Sequence, residues 1–310
     1  MTKKIALAIV GIGKIARDQH VAAIAHSQDF ELVAAASPSS TLDGVPCFSS
    51  IEQLFESTPS LSAVALCTTP QVRYQAARYA LTRGCHVLLE KPPAATLSEV
   101  QALVELAGQQ RSALFASWHS RHASAVEPAR RWLAARAVSG VSVVWKEDVR
   151  VWHPGQRWIW KAGGLGVFDP GINALSILTR ILPDSIVLQD AELSYPENCE
   201  TPIAARLQLT DARGTPIRME LDFRHTGPAT WDIAVDTDGG RLLLSNGGST
   251  LRINQRSEPA APNAEYPRLY EQFAKLVRSR QVEVDIAPMR LVADALLCGR
   301  RIEVEAFVDG

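Results

Sequence analysis

Two short stretches of this 310-residue chain combine residues that could hold a polar ligand and move a proton. In the first, Glu90-Lys91-Pro92, a charged pair meets prolines that end any strand or helix. A lysine held there can donate hydrogen bonds to a hydroxyl or carbonyl oxygen. In the second, Asp169 and Asn173 are four residues apart and share one face if the segment is helical. Asp169 and Asn173 could then address one ligand, and a carboxylate can accept a proton from it. The alternative for the lysine is a solvated strand end without a ligand.

Glu147 is a third candidate, because a carboxylate interrupts an otherwise apolar row. Residues 141–149 alternate in polarity, so Glu147 shares a face of the predicted strand with Trp145 and with valines. Such a carboxylate favours binding of ligand hydroxyl groups. The alternative is an edge position that faces solvent or forms an ion pair with Lys146 or Arg150 of a neighbouring strand.

Large aromatic side chains crowd the loop that follows. Trp152, His153, Trp158 and Trp160 fall within nine residues of each other. Aromatic rings in a loop are unfavourable unless they are buried or bind a ligand, and flat rings match the C–H faces of a sugar. We therefore expect Trp152 and His153 to contact a ligand, and at least Trp158 or Trp160 to anchor the loop to the sheet.

The first third of the chain supplies the elements that would position the charged pair at residues 90–91. Residues 5–10 are an apolar run typical of a strand buried on both faces, and they lead into a G-x-G-x-x-A match at residues 11–16. A predicted helix at 15–25 and a second strand at 30–36 follow. In this context the first glycine permits a tight turn, and the second lets the backbone approach a pyrophosphate at the helix N-terminus. The unit predicts dinucleotide binding.

The same alternation continues to residue 118 and predicts a doubly wound parallel sheet. Further strands are expected at residues 61–68, 86–90 and 113–118, and further helices at residues 51–57, at residues 70–81 and after a capping box at residues 96–99. The C-terminal ends of parallel strands meet at one edge of a sheet. The Thr68-Thr69 and Glu90-Lys91 strand ends should therefore lie on the same side as the glycine turn.

The end of the second strand bears on the choice of cofactor. An NAD-specific site usually has Asp or Glu there, which binds the ribose 2′-hydroxyl. This chain has hydroxyl residues from Ser37 to Thr41 instead, which could bind a 2′-phosphate, although no arginine is present to clamp it. We expect both NAD and NADP to be used, with a preference for NADP. The same residues also suit an ordinary serine-rich turn.

The pattern changes after residue 120, where alternating runs follow one another without helices between most of them. They predict an α+β domain with a mainly antiparallel open sheet. Asp169-Pro170 fits a helix N-cap, and closing helices are expected at residues 266–277 and 291–302. The predicted fold class is α/β, with a Rossmann domain at 1–120 and a substrate-binding and oligomerisation domain at 121–310. The last helix of the chain could pack back on the first domain.

Composition excludes several classes of protein. The net charge of −1 gives no reason to expect nucleic acid or an anionic membrane surface as a partner. No apolar window approaches the roughly 18 residues of a membrane span. The five cysteines form no CxxC motif, so neither a disulfide framework nor a zinc site is expected. We expect a cytoplasmic protein without a metal.

The glycine motif and the Glu-Lys-Pro at the end of the strand at residues 86–90 resemble those of the Gfo/Idh/MocA family (glucose–fructose oxidoreductase and inositol dehydrogenase). In that family the lysine lies beside the nicotinamide and the substrate, which carries over to Lys91. Longer runs at residues 145–156 and 164–173 resemble the bacterial members that act as D-galactose and L-arabinose 1-dehydrogenases, and this likeness covers almost the whole chain. Related dehydrogenases often have Asp-x-x-x-His where this chain has Asn173. Because asparagine cannot take a proton, the base is Asp169 or Lys91.

The resemblance implies an NAD(P)+-dependent aldose 1-dehydrogenase, which oxidises the anomeric hydroxyl of a galacto-configured sugar (L-arabinose, D-galactose or D-fucose) to the lactone. It implies a homo-oligomer, a dimer or a tetramer, with a small sugar as substrate. The implied catalytic residues are Lys91, Asp169 and Asn173, and the implied substrate-binding residues are His119, Glu147, Trp152, His153 and Trp231. The cofactor-binding residues are expected to be Gly11, Gly13, Lys14, Ile15, Ala16, Ser37, Thr68, Thr69, Pro70, Glu90 and Lys91.

Two other functions fit parts of the sequence. One is an oxidoreductase of the same fold that acts on another sugar, a cyclitol, an amino sugar or an imine. The other is a non-catalytic NAD(P)-binding sensor or corepressor. A sensor would not need both Lys91 and Asp169, and it would be expected to show a basic charge balance or a DNA-binding helix pair. A panel of substrates distinguishes the first alternative.

Overall fold

The computed structural model describes residues 3–259, 261–262 and 264–308, so the outermost residues of both predicted domain ranges lie outside it. Up to residue 119 the elements are β1 (Ile5–Val10), a π-helical turn (Ala16–His20), α1 (Val21–His26), β2 (Phe30–Ala36), β3 (Cys47–Phe48), α2 (Ile51–Ser57), β4 (Ala63–Leu66), α3 (Pro70–Leu81), β5 (His86–Glu90), α4 (Leu97–Gln110) and β6 (Leu114–Ser117).

From residue 119 onward, strands outnumber helices. The elements are a 3-10 turn (His119–His122), α5 (Val126–Leu133), β7 (Val138–Lys146), α6 (Val149–Trp152), a second 3-10 turn (Arg157–Trp160), α7 (Phe168–Ile181), β8 (Ile186–Pro196), β9 (Ala204–Asp211), β10 (Pro216–Asp222), β11 (Thr230–Thr237), β12 (Gly240–Ser245), a third 3-10 turn (Asn246–Gly248), β13 (Thr250–Ile253), β14 (Arg256–Glu258), α8 (Glu265–Ser279), β15 (Val282–Glu283), α9 (Ala287–Cys298) and β16 (Arg300–Val304).

The chain divides into two compact units. The first contains the residues up to His119 together with Tyr266–Ile286, and the second contains Ser120–Glu265 and the residues from Ala287 onward. The segment that returns to the first unit therefore carries α8, whereas the last helix, α9, belongs to the second unit. The apolar face of α8 accounts for this return, because Phe273 stacks on Phe30 of β2 with ring centroids 5.4 Å apart.

The first unit is built on a parallel sheet in the order β15-β6-β5-β4-β1-β2-β3. Successive residues of β1 point to opposite faces. Leu7 and Ile9 belong to a core that includes residues of α1 and α8, and Ala8 and Val10 belong to a core that includes residues of α3 and α4. Helices on both faces explain why the strand sequences are continuously apolar. The prediction of a doubly wound parallel sheet is confirmed.

Several helix boundaries follow from local sequence. Ser50 caps α2 by accepting a hydrogen bond from the Gln53 amide, and Pro70 occupies the first turn of α3. At α4, Thr96 and Glu99 exchange both hydrogen bonds of a capping box. These caps fix the start of each helix and, with it, the length of the preceding strand-end loop.

The second unit is built on a sheet in the order β14-β13-β12-β11-β7-β10-β9-β8-β16. Its neighbours are antiparallel except for the pairs β7–β10 and β8–β16. This is the predicted α+β arrangement with a mainly antiparallel sheet. No helix within the described residues is both long and apolar enough to cross a membrane.

Three local predictions in the second unit are wrong. β7 ends at Lys146, so Glu147 lies just beyond the strand, although its amide still pairs with the Asp222 carbonyl of β10. Asp169 is not an N-cap, because α7 begins at Phe168 and leaves the Asp169 side chain inside the first turn. Residues 300–302 are not helical. They begin β16, which pairs in parallel with β8, a long-range pairing that no local pattern encodes.

Candidate active site

The glycine turn after β1 brings two strand ends together. Gly11 has φ of +93°, and a Cβ atom there would lie 2.6 Å from the Thr68 amide nitrogen. Only glycine permits this approach of β1 to the end of β4. A Cβ atom on Gly13 would meet nothing within 4 Å, so this backbone faces open space. The pair therefore has the property that a pyrophosphate site needs: one glycine for the turn and one for close approach of a ligand.

A cavity of about 480 Å³ opens beside this turn. Gly11, Ser37 and Thr68 line it from the strand ends, Arg78 lines it from α3, and Arg83 lines it from the turn after α3. Within the described part of the chain, the buried Thr68 Oγ1 has no hydrogen-bond partner, which fits a ligand atom at this position. The open glycine and this hydroxyl together fit a bound dinucleotide.

The remaining predicted cofactor residues differ in their surroundings. Lys14 is exposed and pairs with Asp18, whereas Ile15 is half-buried and Ala16 is fully buried in the core. Thr69 precedes α3 with an extended backbone, and Pro70 is buried at the first helical position. Of this group, Ala16 and Pro70 therefore pack inside the unit, as the close helix–strand packing of a Rossmann turn requires.

Arg73 of α3 holds two strand-end loops in place. This buried side chain donates hydrogen bonds to the carbonyl oxygens of Thr68, Glu90 and Pro92. A buried guanidinium is tolerated when its donors are satisfied, and its fork geometry suits several acceptors at once. The ends of β4 and β5 are therefore joined through one residue.

The Glu90 carboxylate points into the unit, where its side chain is held from two sides. Its Oε1 accepts a hydrogen bond from the Tyr266 hydroxyl at 2.8 Å and lies 3.0 Å from His20 Nε2. Its Oε2 accepts a hydrogen bond from the Lys91 backbone amide at 2.8 Å. His20 Nδ1 lies 2.7 Å from the Tyr270 hydroxyl, and only 2% of Glu90 is exposed. Both carboxylate oxygens are thus occupied within the first unit.

The electrostatics of this cluster favour an ion pair. Burial would raise the pKa of the Glu90 carboxyl, but the hydrogen bond and charge of His20, with the charges of His119 and Arg73, hold its pKa well below the usual value. Burial would lower the pKa of His20, but Cys67, Tyr270 and Glu90 outweigh it and raise that pKa. For Tyr270, burial itself is the main cause that raises the pKa, to about 12. The stable state is an imidazolium beside a carboxylate.

Two predicted residues lie close to this cluster. Lys91 follows Glu90 directly, is half-buried, and precedes Pro92 through a cis peptide bond. His119 stacks on Tyr266 with ring centroids 5.4 Å apart and an interplanar angle of 20°. In the first unit the structure therefore groups Glu90, Lys91 and His119.

The second unit contains a separate group around His153. Its Nε2 lies 3.3 Å from Glu147 Oε1, and its Nδ1 lies 3.6 Å from Asp169 Oδ2. The Trp231 indole donates a hydrogen bond to Glu147 Oε2 at 2.7 Å. Glu147 and Asp169 are each only 3% exposed. An imidazole between two buried carboxylates can hold and pass a proton.

α7 positions Asp169 and Asn173 one turn apart, Asp169 buried and Asn173 half-buried. Gly171, between them, packs against β10, because a Cβ atom there would lie 2.6 Å from Leu221 Cδ1. The close packing of this helix start against the sheet presents both side chains on one helical face. The predicted i, i+4 relation of Asp169 and Asn173 is therefore present.

The tryptophans form a partly open aromatic surface. Trp152 is 44% exposed and meets Trp231 edge-on at 4.8 Å, and Trp231 in turn stacks on buried Trp145 at 6.2 Å. Trp160 packs on Phe223 and Phe307, so it anchors the loop as expected. The surface lies directly beside Glu147. Among residues 3–259, 261–262 and 264–308, no cluster of His, Cys, Asp or Glu has the composition of a metal site.

Sequence reasoning missed several residues of these groups, among them Tyr270 and Arg83. His20, Arg73 and Tyr266 are remote in sequence from Glu90, and each falls in a helix whose periodicity indicates only core or surface. Arg78 lies on α3 next to the cavity, and no local pattern predicts a cation near Ser37. The one available signal was a histidine in the helix after the glycine turn.

A model of an oxidoreductase family with an NAD-binding Rossmann fold matches residues 5–117. The chain is 44% identical to the galactose 1-dehydrogenase of Pseudomonas fluorescens over 305 residues, which cover 98% of this chain and 99% of that protein. The crystal structure of a D-galactose-1-dehydrogenase from Rhizobium etli is 52% identical, with a TM-score of 0.95 and 99% coverage of both chains.

A more distant structure shares the fold alone. It is a 3-ketoreductase from Actinomadura kijaniata in complex with NADP and TDP-benzene, which is 17% identical, has a TM-score of 0.85, and is matched over 97% of this chain and 100% of its own. The fold and the full-length likeness agree on one conclusion. The chain belongs to the Gfo/Idh/MocA family of oxidoreductases, whose matched region is an NAD-binding Rossmann fold.

Proposed function

We propose that the protein is an NAD(P)+-dependent aldose 1-dehydrogenase, which oxidises the anomeric hydroxyl of a galacto-configured sugar to the lactone. The observation that carries the proposal is the aromatic surface of Trp152 and Trp231 beside two buried carboxylates bridged by His153. Flat rings match the C–H faces of a pyranose, and carboxylates and an imidazole match its hydroxyl groups. The full-length likeness to two galactose dehydrogenases supports the same substrate class.

The cofactor would be held by the glycine turn and the loops at the ends of β2, β4 and β5. When bound, it supplies the acceptor for the hydride from the sugar. Gly13 leaves room for a pyrophosphate, and Thr68 offers a hydroxyl with no partner in the described chain. Glu90 would support the cofactor site indirectly, by holding the Lys91 loop, because both of its carboxylate oxygens are already bonded to Tyr266, His20 and the Lys91 amide.

Proton removal is assigned to Asp169. Its carboxylate accepts the proton of the anomeric hydroxyl as the C–H bond breaks, and Asn173 orients the same hydroxyl from the next turn of α7. Lys91 donates a hydrogen bond to the anomeric oxygen and polarises it. His153 Nδ1 faces Asp169 and can share the proton afterwards. The alternative assignment makes Lys91 the base.

The other polar residues would bind the remaining hydroxyls of the sugar. Glu147 is fixed by Trp231 and His153, so it presents an oriented acceptor. His119, stacked on Tyr266, is a further candidate for a hydroxyl contact. Arabinose, galactose and fucose differ at the exocyclic carbon, and one such group is worth only about 1–3 kcal/mol of discrimination. We therefore expect all three to be oxidised, with specificity constants that differ by no more than about 200-fold.

Both cofactors are proposed to bind, with NADP preferred. The end of β2 is followed by Ser37 rather than an acid, and the same cavity is lined by Arg78 of α3 and by Arg83 of the turn after it. Arg83 is stacked on the Tyr79 ring, so Arg78 is the better candidate to meet a 2′-phosphate. Arg78→Ala is expected to weaken NADP binding several-fold and to leave NAD binding unchanged, as measured by titration calorimetry. Equal weakening of both would contradict this role.

We further propose a cytoplasmic homo-oligomer, a dimer or a tetramer. The cysteines among the described residues are free thiols, which agrees with a reducing compartment. Light scattering coupled to size exclusion tests the oligomer, and a monomer at micromolar concentration would contradict it.

The proposed function is tested by following nicotinamide reduction with a panel of aldoses, cyclitols and amino sugars. We expect rapid reduction with D-galactose, L-arabinose and D-fucose, and slow reduction with D-glucose, which differs in configuration. A preference for a cyclitol or an amino sugar would contradict the aldose assignment. Binding of the cofactor without any turnover would favour the sensor.

A further inference from the structure

A buried polar cluster beneath the Glu-Lys-Pro turn takes no direct part in the proposed reaction. Its members are His20, Glu90, Tyr266 and Tyr270, and all of them are almost fully buried. A buried ion pair usually adds little stability over apolar residues of the same size, because desolvation offsets the attraction. Stability alone therefore does not explain why this cluster lies next to Lys91.

The hydrogen bonds of the Glu90 carboxylate suggest that the cluster orients the Lys91 backbone. Glu90 Oε1 is fixed by the Tyr266 hydroxyl at 2.8 Å and by His20 Nε2 at 3.0 Å. The two oxygens belong to one rigid carboxylate at the end of a buried side chain, so holding Oε1 also orients Oε2. Oε2 accepts a hydrogen bond from the Lys91 backbone amide at 2.8 Å. The direction of the Lys91 backbone is thus set by Tyr266 and His20 through one rigid group.

We propose that Tyr266 and His20 are positioning residues for Lys91, acting through Glu90. This inference rests on the proposed function, in which Lys91 holds the anomeric oxygen. Displacing a reacting group by about 1 Å can slow an enzyme about 100-fold, so the orientation of this lysine matters to the rate. Arg73 supports the same turn from the other side, through the carbonyls of Glu90 and Pro92.

The position of Tyr266 in the chain agrees with this role. It is the first residue of the segment that returns to the first unit, and its ring stacks on His119. The Tyr266 ring thus stacks on His119, a proposed substrate-binding residue, while the Tyr266 hydroxyl donates a hydrogen bond to Glu90. Replacing tyrosine by phenylalanine separates the two contacts, because the ring remains and only the hydroxyl is lost.

The first experiment measures kcat, KM and cofactor affinity for Tyr266→Phe. We expect kcat to fall roughly 10- to 100-fold, while KM for the sugar and Kd for NADP, from calorimetry, change less than about threefold. His20→Gln should act in the same direction. Tyr195→Phe is the matched control, since Tyr195 is a buried tyrosine of the second unit, and it should keep the wild-type kcat.

A double variant separates positioning from general damage to the structure. If Tyr266 acts through Lys91, Tyr266→Phe has no further effect on kcat in a Lys91→Ala background. A purely structural role would slow both backgrounds by the same factor and would overturn the inference. So would a wild-type kcat for Tyr266→Phe when Lys91→Ala alone is slow, and in that case the proposed function stands. If Lys91→Ala itself turns over at the wild-type rate, the proposed role of Lys91 and this inference fail together.

Discussion

Asp169 and Glu147 approach the two ring nitrogens of one imidazole, that of His153. Two buried carboxylates at this spacing repel each other unless a proton or a cation lies between them. His153 can supply either, because a neutral ring has one donor and one acceptor and a protonated ring has two donors. The sequence alone predicted that His153 binds substrate hydroxyl groups. Its position between the two carboxylates indicates that it also takes part in proton transfer at Asp169.

At this scale, replacing Asp169 tests the base. Asp169→Asn keeps the shape of the side chain but cannot take a proton, so kcat should fall about 10²- to 10⁴-fold with little change in KM. Steady-state kinetics with D-galactose measures this, and Asp190→Asn, at an exposed position on β8, is the control. If Asp169→Asn stays near wild type while Lys91→Ala is slow, Lys91 is the base.

The Trp231 indole tests how Glu147 is held. Trp231→Phe keeps an aromatic ring but removes the donor that lies 2.7 Å from Glu147 Oε2. Because Glu147 is proposed to bind substrate in both the ground state and the transition state, KM should rise about tenfold and kcat should change little. Trp160→Phe, in the anchoring contact with Phe223, should leave KM unchanged. A loss confined to kcat would show that Glu147 has a role in the chemical step instead.

Sequence reasoning predicted the residue types of the site well, because they are chemically unusual in their local context. A carboxylate next to Trp145 and a lysine before proline both stand out in this way. Partners such as His20, Tyr266 and Arg73 do not stand out, since their roles depend on contacts with residues between 17 and 176 positions away. The pairing of Trp231 with Glu147 is of the same long-range kind.

At the scale of elements, the turn between β1 and the first helix combines two glycines with different duties. Gly11 is required by the backbone, because φ is +93° and the Thr68 amide would touch any side chain. Gly13 is required by nothing in the protein itself, since a Cβ atom would meet no atom within 4 Å. Their contrasting surroundings give a matched pair of substitutions.

Gly11→Ala should destabilise the first unit, and Gly13→Ala should not. For Gly11→Ala we expect the thermal midpoint to fall by several degrees, because β1 and β4 must separate at their ends. Gly13→Ala should keep the midpoint but weaken cofactor binding about tenfold or more, because its methyl group occupies space proposed for the pyrophosphate. Scanning calorimetry and cofactor titration measure both. Unchanged affinity in Gly13→Ala would place the cofactor away from this turn.

The elements themselves were largely predictable where local signals decide them. The capping box at Thr96, the proline at position 70 and the apolar strands of the first unit each follow from short-range rules. β16 did not follow, because its strand conformation comes from pairing with β8 more than 100 residues earlier. The short helix α6 likewise interrupts an alternating run, because Asp148 caps it through the Arg150 amide.

At the scale of the whole molecule, the Glu90 cluster couples stability to pH. The pKa of Glu90 in the folded protein lies well below its ordinary value of 4.5. As the pH falls below about 4.5, the unfolded chain binds a proton that the folded protein does not, so stability falls by up to about 1.4 kcal/mol per pH unit. Above that pH the contribution is fully present.

Urea unfolding of the wild type and of Glu90→Gln, between about pH 6 and about pH 3.5, measures this contribution. The difference in unfolding free energy between them should shrink as the pH falls below about 4.5, where Glu90 becomes protonated in the unfolded chain. Glu56→Gln, at an exposed position on α2, should show no such convergence. Parallel curves for the wild type and Glu90→Gln would mean that Glu90 is not ionised in a stabilising pair.

The fold class was predictable from the alternation of strands and helices. The assignment of residues to the two compact units was harder to predict. Nothing local marks Tyr266–Ile286 as part of the first unit, because the face of α8 that meets Phe30 has the same composition as any amphipathic helix. The cofactor preference is a similar case, since Arg78 reaches the cavity only through the packing of α3.

The central claim is that a hydride leaves the anomeric carbon of a galacto-configured sugar for the nicotinamide. The most direct test uses D-galactose deuterated at C1, with the reduced cofactor analysed by mass spectrometry and the rate compared with that of unlabelled sugar. The proposed function predicts one deuterium in each reduced nicotinamide and lactone as the first product. Reduced cofactor without deuterium, or label that stays with the sugar product, would show that oxidation occurs at another carbon and would contradict the claim.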